Sequence, residues 1–252
     1  MSIKDYNALL SVRTSSSRLP RKCFLPFGDS NTLIHVVKRA INFGINPIVC
    51  TSIDSADDEI EELCLQNKIL YFRGSLENKL NRWLACATKF QLADFHTIDV
   101  DDPFFDPLQV KESIEILREK KLDIVSPTEI SSNGSASVGY SIKNDCLIEN
   151  QKIFNGITQI EMIDSIFIQF ENLKHEILIS QFPDFSNIRL TLDYPEDYHL
   201  LIFVLKELGP FCTRAEIGEL FRKNPDLYKF NWFRNIEWSA NQTSIRSRQG
   251  VA

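Results

Sequence analysis

Hydrophobic runs long enough to cross a bilayer are missing from this chain. The longest strongly apolar stretch, Leu200 to Leu205, falls far short of the roughly 20 residues that a membrane helix needs. The start, Met1 to Asn7, is polar, and the apolar run after it is too short for a secretory signal, so a cytoplasmic protein with no membrane span is expected. Paired cysteine motifs are missing too. Cys23, Cys50, Cys64, Cys86, Cys146 and Cys212 are scattered without any Cys-x-x-Cys, which argues against zinc ribbons and dithiol redox chemistry. They read as reduced and packed, as free cysteine usually is. His35, His96, His175 and His199 stand apart from one another, and nothing around them suggests a zinc site or a hydrolase triad. An excess of cations is also lacking: the formal net charge is -6, which disfavours non-specific nucleic-acid binding.

What the chain does have is an ordinary globular balance, 43% hydrophobic and 25% charged over 252 residues. That length buries one substantial α/β core, or a core with a small appendage. Strand-like and helix-like segments alternate through the first two thirds, the pattern of a mostly parallel sheet with helices on both faces. Strands are expected at Ala8 to Val12, Pro47 to Thr51, Leu70 to Arg73, Phe95 to Val100 and Asp123 to Ser126. Helices are expected at Leu33 to Ile41, Asp57 to Gln66, Glu77 to Phe90 and Pro107 to Lys120; Leu80, Trp83, Leu84 and Ala87 form a core stripe on the third of these. The turn Asn133-Gly134-Ser135 and the short runs Ser137 to Ile142 and Cys146 to Ile148 suggest a small β-hairpin excursion from the sheet. Gln159 to Phe170 reads as helix, Ile188 to Leu192 as a strand leading to a helix that ends at Leu208, and Thr213 to Asn224 as an amphipathic helix. The expected division is a domain over residues 1–209, its hairpin at about 130–150, and a C-terminal helical extension and tail over 210–252. Phe230, Trp232, Phe233 and Trp238 read as packing or a subunit contact.

Against the overall acidity, one stretch is strongly basic. Arg13 to Lys22 reads Arg-Thr-Ser-Ser-Ser-Arg-Leu-Pro-Arg-Lys, with cations at Arg13, Arg18, Arg21 and Lys22 and hydroxyls at Ser15, Ser16 and Ser17. It leaves the first strand before the first helix, where open α/β sheets bind ligands. Backbone N–H groups and hydroxyls there can hold phosphate oxygens while Arg and Lys neutralise them. A solvated basic loop is the plain alternative; the stiff apolar pair Leu19-Pro20 favours a shaped anion site.

Acids gather at a strand end farther on: Asp99, Asp101, Asp102 and Asp106. Desolvated together they would repel one another, and a hard cation such as Mg2+, which takes one or two carboxylates plus substrate phosphates, resolves the conflict. A capped, solvated turn explains Asp106, which precedes Pro107 at a helix start. It explains Asp101 poorly. A second acidic group, Asp193, Glu196 and Asp197, opens another helix, and capping accounts for Glu196.

The pattern Arg-x-x-Ser-x-Arg-Leu-Pro-x-Lys over Arg13 to Lys22 resembles the signature loop of the cytidylyltransferase superfamily, which includes the CMP-sugar synthetases. The nearest likeness is to the spore coat polysaccharide biosynthesis protein F family. That resemblance implies a Rossmann-like sheet of the nucleotide-diphospho-sugar transferase (GT-A-like) type. It also implies metal binding by Asp101 in a Gly-Asp-x-Pro-like motif, nucleotide contacts from Thr51, Ser52, Arg73 and Gly74, and substrate contacts from Arg82. Arg189-Leu190-Thr191-Leu192-Asp193 with Asp197 resembles the family's Arg-Leu-Thr-x-Asp-x-x-x-Asp, which implies a metal role for Asp193 and a substrate role for Asp197. Ser15 and Arg21 stand where the family usually has a small residue, and Asn78 where it usually has aspartate; the first two are expected to crowd the loop. Pro225 and Asn231 fall at family-like spacing.

The function so implied is a nucleotidyltransferase that moves CMP from CTP onto an acidic sugar and releases pyrophosphate. Arg13, Ser16 and Ser17 would cradle the triphosphate, Arg18 and Lys22 would stabilise the leaving pyrophosphate, and Mg2+ would act as Lewis acid. A homodimer is one arrangement this likeness allows. Two rivals remain: Asp99-Val100-Asp101 also suits a metal-dependent glycosyltransferase, and the changes at Ser15, Arg21 and Asn78 suit a nucleotide-binding homologue without catalysis.

Overall fold

A computed structural model describes residues 6–128, 139–158, 160, 163–179 and 187–248. In chain order its first half holds β1 (Asn7–Ser11), a two-stranded hairpin of β2 (Pro26–Phe27) and β3 (Ser30–Asn31), α1 (Thr32–Asn42), β4 (Asn46–Ser52), α2 (Asp58–Gln66), β5 (Tyr71–Gly74), α3 (Lys79–Lys89), β6 (Asp94–Asp99) and α4 (Pro107–Glu119). The second half holds β7 (Ile124–Ser126), β8 (Ser141–Lys143), α5 (Asn144–Glu149), α6 (Gln151–Phe154), α7 (Asp164–Phe167), β9 (His175–Ile177), α8 (Pro195–Leu208), α9 (Arg214–Lys223) and α10 (Arg234–Arg248).

Seven strands form one sheet in the order β5-β4-β1-β6-β8-β7-β9. All neighbours are parallel except that β8 runs antiparallel to both β6 and β7. β1 is central, and its alternation feeds both faces. Ala8 and Leu10 join Leu33, Val36 and Val37 of α1 and Val110 and Ile114 of α4, while Leu9 joins Leu80, Trp83 and Leu84 of α3 on the other side. A third apolar cluster holds Phe27, Phe104, Leu190, Leu192, Leu200, Leu201 and Ile217, and seats α8 and α9 against the loops at the strand ends. Among the described residues no helix is long and apolar enough to cross a membrane.

The helices begin where side-chain caps allow. Asn31 accepts from the Ile34 N–H at α1, and Asp106 accepts from the Leu108 and Gln109 N–H groups at α4 with Pro107 first in the helix. Asn78 caps α3 by accepting from the Asn81 N–H, and its amide also donates to the Phe154 and Ile157 carbonyls. An aspartate there could make the cap but not the two donations, so the asparagine has a structural reason.

Several expectations are corrected. The small antiparallel hairpin is β2–β3. Ser141–Lys143 is a strand, but it lies inside the main sheet, and Cys146 to Ile148 belongs to α5; six residues between turn signals were too few to separate strand from helix. The Asn133-Gly134-Ser135 turn lies outside the described residues. Ile188 to Leu192 forms no strand among the described residues; instead the Leu192 N–H donates to the Asp101 carbonyl at 2.7 Å. β9, at the sheet edge beside β7, had no expectation. The helix α10 runs to Arg248, inside the stretch expected to be a helical extension and tail.

The packing can be tested at two positions. Gly139 has φ +89°, and a Cβ there would lie 1.8 Å from the Thr97 carbonyl oxygen, against backbone that cannot yield. Gly139→Ala is expected to cost at least about 2 kcal/mol in urea unfolding; an unchanged midpoint would contradict the register of β6 with the chain entering β8. His35 is buried between Phe27 and Phe104, and its Nε2–H donates to the Pro103 carbonyl at 3.0 Å. Burial pushes its pKa down to about 4. The unfolded chain therefore binds more protons between that value and the ordinary 6.5, and stability falls as pH drops through this window, by up to about 3 kcal/mol. His35→Gln should flatten that part of the stability profile.

Candidate functional site

The basic loop leaves β1 and is fastened before it reaches its lysine. Asp57, just ahead of α2, accepts from the Thr14 N–H at 2.8 Å and the Thr14 hydroxyl at 2.9 Å with one oxygen. Its other oxygen accepts from the Ser52 hydroxyl at 2.5 Å. The loop is thus tied to the end of β4. Burial works against the Asp57 charge, yet these donors win and hold its carboxyl below the usual range. The Arg21 N–H then donates back to the Thr14 carbonyl at 3.3 Å.

Arg21 takes φ +57°, a region glycine enters freely and a side chain enters at about 1–2 kcal/mol. Its guanidinium turns outward, bonds both oxygens of Glu59 at 2.8 and 2.6 Å, and lies over the Phe24 ring. Ser15 is exposed. Neither residue crowds the loop, contrary to expectation. The left-handed step opens a single 3-10 turn, Lys22–Phe24, with Lys22 at its start.

Lys22 Nζ lies 2.5 Å from Asp101 Oδ2 and 2.8 Å from Asp193 Oδ1. Arg18 Nη2 reaches the same Asp193 oxygen at 2.7 Å. Two cations and two carboxylates, from the loop after β1, the turn after β6 and the turn before α8, therefore converge. Burial alone would raise the Asp193 carboxyl, but Lys22 and Arg18 outweigh it and hold it well below the usual range. Burial does raise Asp101, against the pull of Lys22 and with the charges of Asp193 and Asp99 adding to the rise. The Lys22 ammonium is raised, because both acids outweigh its own desolvation. The Arg18 Nε is buried with no hydrogen-bond partner among the described residues, a donor left over for an anionic oxygen. Asp99, beside this group, is paired with Lys79 at 2.8 Å.

Other residues named from the sequence are placed differently. Arg13 donates to the Leu76 carbonyl at 3.2 Å, and the Ser16 hydroxyl accepts from the Leu19 N–H at 3.3 Å; Ser17 is exposed on the same loop. Thr51 and Ser52, expected to contact the nucleotide, are fully enclosed, and the Ser52 hydroxyl serves the Asp57 clamp. Arg73 is bonded at the same strand end. Its guanidinium donates to the Ser52 and Asp54 carbonyls and pairs with Asp58 and Glu61. Gly74 lets the chain pass closely, since a Cβ there would come within 2.7 Å of the Phe72 ring and 3.0 Å of Arg82 Cγ. Arg82 is buried, and its Nη1 donates to the Ser75 and Leu76 carbonyls, which shapes the turn before α3. Asp197 has 0% exposure. It accepts from Arg189 and from the Asp193 and Tyr194 N–H groups, and so braces the turn that carries Asp193. Asp57 and Asn231, which also grips Asp197, went unassigned in the sequence; a first-turn acid after a Thr-Ser strand end was the available signal for Asp57.

The donor set suits a small hard cation. Asp101 Oδ2 and Asp193 Oδ1 already aim at one point, filled by Lys22 Nζ, and two carboxylate oxygens plus substrate phosphates are what Mg2+ commonly takes. Among the described residues no three His, Cys, Asp or Glu side chains gather as a metal cluster, so phosphate oxygens would have to complete the shell.

A family model described as cytidylyltransferase matches residues 8–208. The spore coat polysaccharide biosynthesis protein SpsF of Bacillus subtilis is 24% identical over 236 residues, covering 89% of this chain and 97% of that protein. An uncharacterized protein of Methanocaldococcus jannaschii is 27% identical over 246 residues, covering 94% and 96%. Among solved structures, a cytidylyltransferase from Leptospira borgpetersenii serovar Hardjo-bovis aligns with a TM-score of 0.76 at 22% identity, covering 90% of this chain and 97% of that one. A CMP:2-keto-3-deoxy-manno-octonic acid synthetase complexed with CTP aligns at 0.59 and 13% identity, covering 81% and 99%. At these identities the structural likeness is one of fold.

The charge cluster makes a prediction about pH. Because Asp193 titrates below its unfolded value, its contribution is complete above about pH 4 and is lost as the pH falls toward its folded value; that of Lys22 is complete below about pH 10 and is lost above. Lys22→Met should therefore move the Asp193 carboxyl upward in a 13C NMR titration. An unmoved Asp193 would mean that Lys22 does not set its charge.

Proposed function

Since this chain belongs to the cytidylyltransferase family, we propose that it transfers CMP from CTP to an acidic sugar, releasing pyrophosphate, in the synthesis of a surface polysaccharide. The observation that carries this reading is the meeting of Arg18 and Lys22 of the basic loop with Asp101 and Asp193. The surface-polysaccharide setting rests on the likeness to the Bacillus spore coat protein, and the choice of CTP and a sugar acid on the likeness to the synthetase complexed with CTP.

The chemistry asks the protein to place a hydroxyl in line with the α-phosphorus and to neutralise charge that grows on the departing pyrophosphate. Arg18 can meet a phosphate oxygen through its unpartnered Nε without leaving Asp193. The ammonium of Lys22 carries three protons, two of them on Asp101 and Asp193 in the ligand-free site; with those carboxylates turned to the metal, Lys22 would be released toward the same anion. Arg13, Ser16, Ser17 and the backbone around Gly74 would line the path of the nucleotide. Asp101 and Asp193 would hold Mg2+, which when bound supplies Lewis-acid neutralisation of the phosphates and lowers the pKa of the attacking hydroxyl. Asp57 and Arg73 keep the loop ends in register while this happens.

The experiment is pyrophosphate release from the four ribonucleoside triphosphates with Mg2+ against a panel of keto-acid sugars. CTP with one of the sugar acids should give turnover. Lys22→Ala and Asp101→Asn should each lower kcat by about 100-fold or more with the fold intact by circular dichroism. Near-normal release by either variant would remove that residue from the chemistry, and consumption of a sugar nucleotide instead of its formation would point to glycosyl transfer.

A further inference from the structure

The turn that carries Asp193 is clipped shut by a residue well beyond the matched family region. Asn231 follows the 3-10 turn Leu227–Phe230 and is fully buried. Its amide nitrogen donates to the Arg189 carbonyl at 3.0 Å and to Asp197 Oδ1 at 2.9 Å. Both partners can only accept, so the orientation of the amide is fixed by chemistry and not by assignment. Arg189 stands before Asp193 and Asp197 after it. One amide therefore joins the two ends of the segment between them.

Within that clip the bonds all lead to Asp193. Asp197 Oδ2 accepts from the Asp193 and Tyr194 N–H groups, each at 2.9 Å. Arg189 Nε lies 2.9 Å from Asp197 Oδ1, and its Nη2 lies 3.1 Å from Asp197 Oδ2 and 3.5 Å from Asp193 Oδ2. Asn235 Oδ1 accepts from Arg189 Nη1 at 2.8 Å. Asp193 Oδ2 thus faces Arg189, and Oδ1 faces Lys22 and Arg18. Asn231 supplies two of the network's bonds by itself through its amide nitrogen, while its Oδ1 is buried with no partner among the described residues.

We propose that Asn231, with Asn235 behind it, is a positioning residue for the nucleotidyl-transfer reaction: it fixes the backbone from Arg189 to Asp197 so that Asp193 Oδ1 stays aimed at the Lys22 and Asp101 side of the site. The inference rests on the transfer reading above. It makes the segment after residue 209 a working part of the site, although no side chain of that segment touches the Lys22, Asp101 and Asp193 group in the bonds described.

Two measurements on Asn231→Ala test it. Amide hydrogen exchange reads the clip directly: the Asp193 and Tyr194 N–H groups should lose about 10-fold or more of their protection while Leu10 in β1 and Ile98 in β6 keep theirs. Steady-state kinetics with CTP and Mg2+ should show kcat lowered about 10-fold or more, with KM for CTP within about 3-fold, because a displaced group costs rate more than binding. Unchanged protection overturns the proposal, and so does full turnover with the amides opened. If Asn231→Ala does not fold cooperatively, Asn235→Ala, which removes the bond to Arg189 Nη1 at a half-buried site, should show the same pattern at smaller size; absence of both effects there overturns it. Should the wild-type protein release no pyrophosphate from any triphosphate, the transfer reading fails, and the exchange measurement still decides whether Asn231 fixes the Asp193 turn.

Discussion

One ammonium group shared by two carboxylates is the interaction on which the site depends. Lys22 is 79 residues from Asp101 and 171 from Asp193 in sequence, so nothing local brings them together. The sheet does, by ending β1 and β6 at the same edge and by packing the segment before α8 against the turn after β6. With Arg18 added, the group is close to electrically neutral. That balance lets four charged side chains sit largely out of water. Under the proposed reaction, a triphosphate would meet cations already in place, with their charge only partly spent on the acids.

Around that group the polar residues divide by task. Arg18, Lys22, Asp101 and Asp193 meet one another in a single charge cluster. Asp57, Arg73, Arg82, Asp197 and Asn231 turn inward and hold the loops that carry the first set. The second set is as strongly charged as the first, but its bonds run to backbone groups and to each other. Those bonds are what turn them into braces, although Arg82 Nε and Asn231 Oδ1 are buried with no partner among the described residues. The hydrophobic clusters do the coarse work of bringing the elements together; these bonds set the last ångström.

The parallel α/β core was legible from alternation alone, because β1, β4 and β6 bury aliphatic residues on both faces and α1 and α3 carry clean apolar stripes. Lys22, Asp101 and Asp193 were legible from residue type: cations in an acidic chain, and acids massed at strand ends. Facing direction was not. Ser52, Arg73, Arg82 and Asp197 belong to the same motifs as the clustered residues, and only the fold shows that their bonds run to the loops. Short segments failed for a different reason. Ser141–Lys143 and Cys146 to Ile148 look alike in pattern, and which became strand was settled by the open place between β6 and β7. Ile188 to Leu192 has strand composition, yet its partner is a turn.

The gauge between the two acidic turns is set by one main-chain contact, the Leu192 N–H on the Asp101 carbonyl at 2.7 Å. No change of side chain short of proline removes an N–H donor. Side chains around the two turns could therefore be rewritten one after another while the spacing of the two acids passed through unaltered.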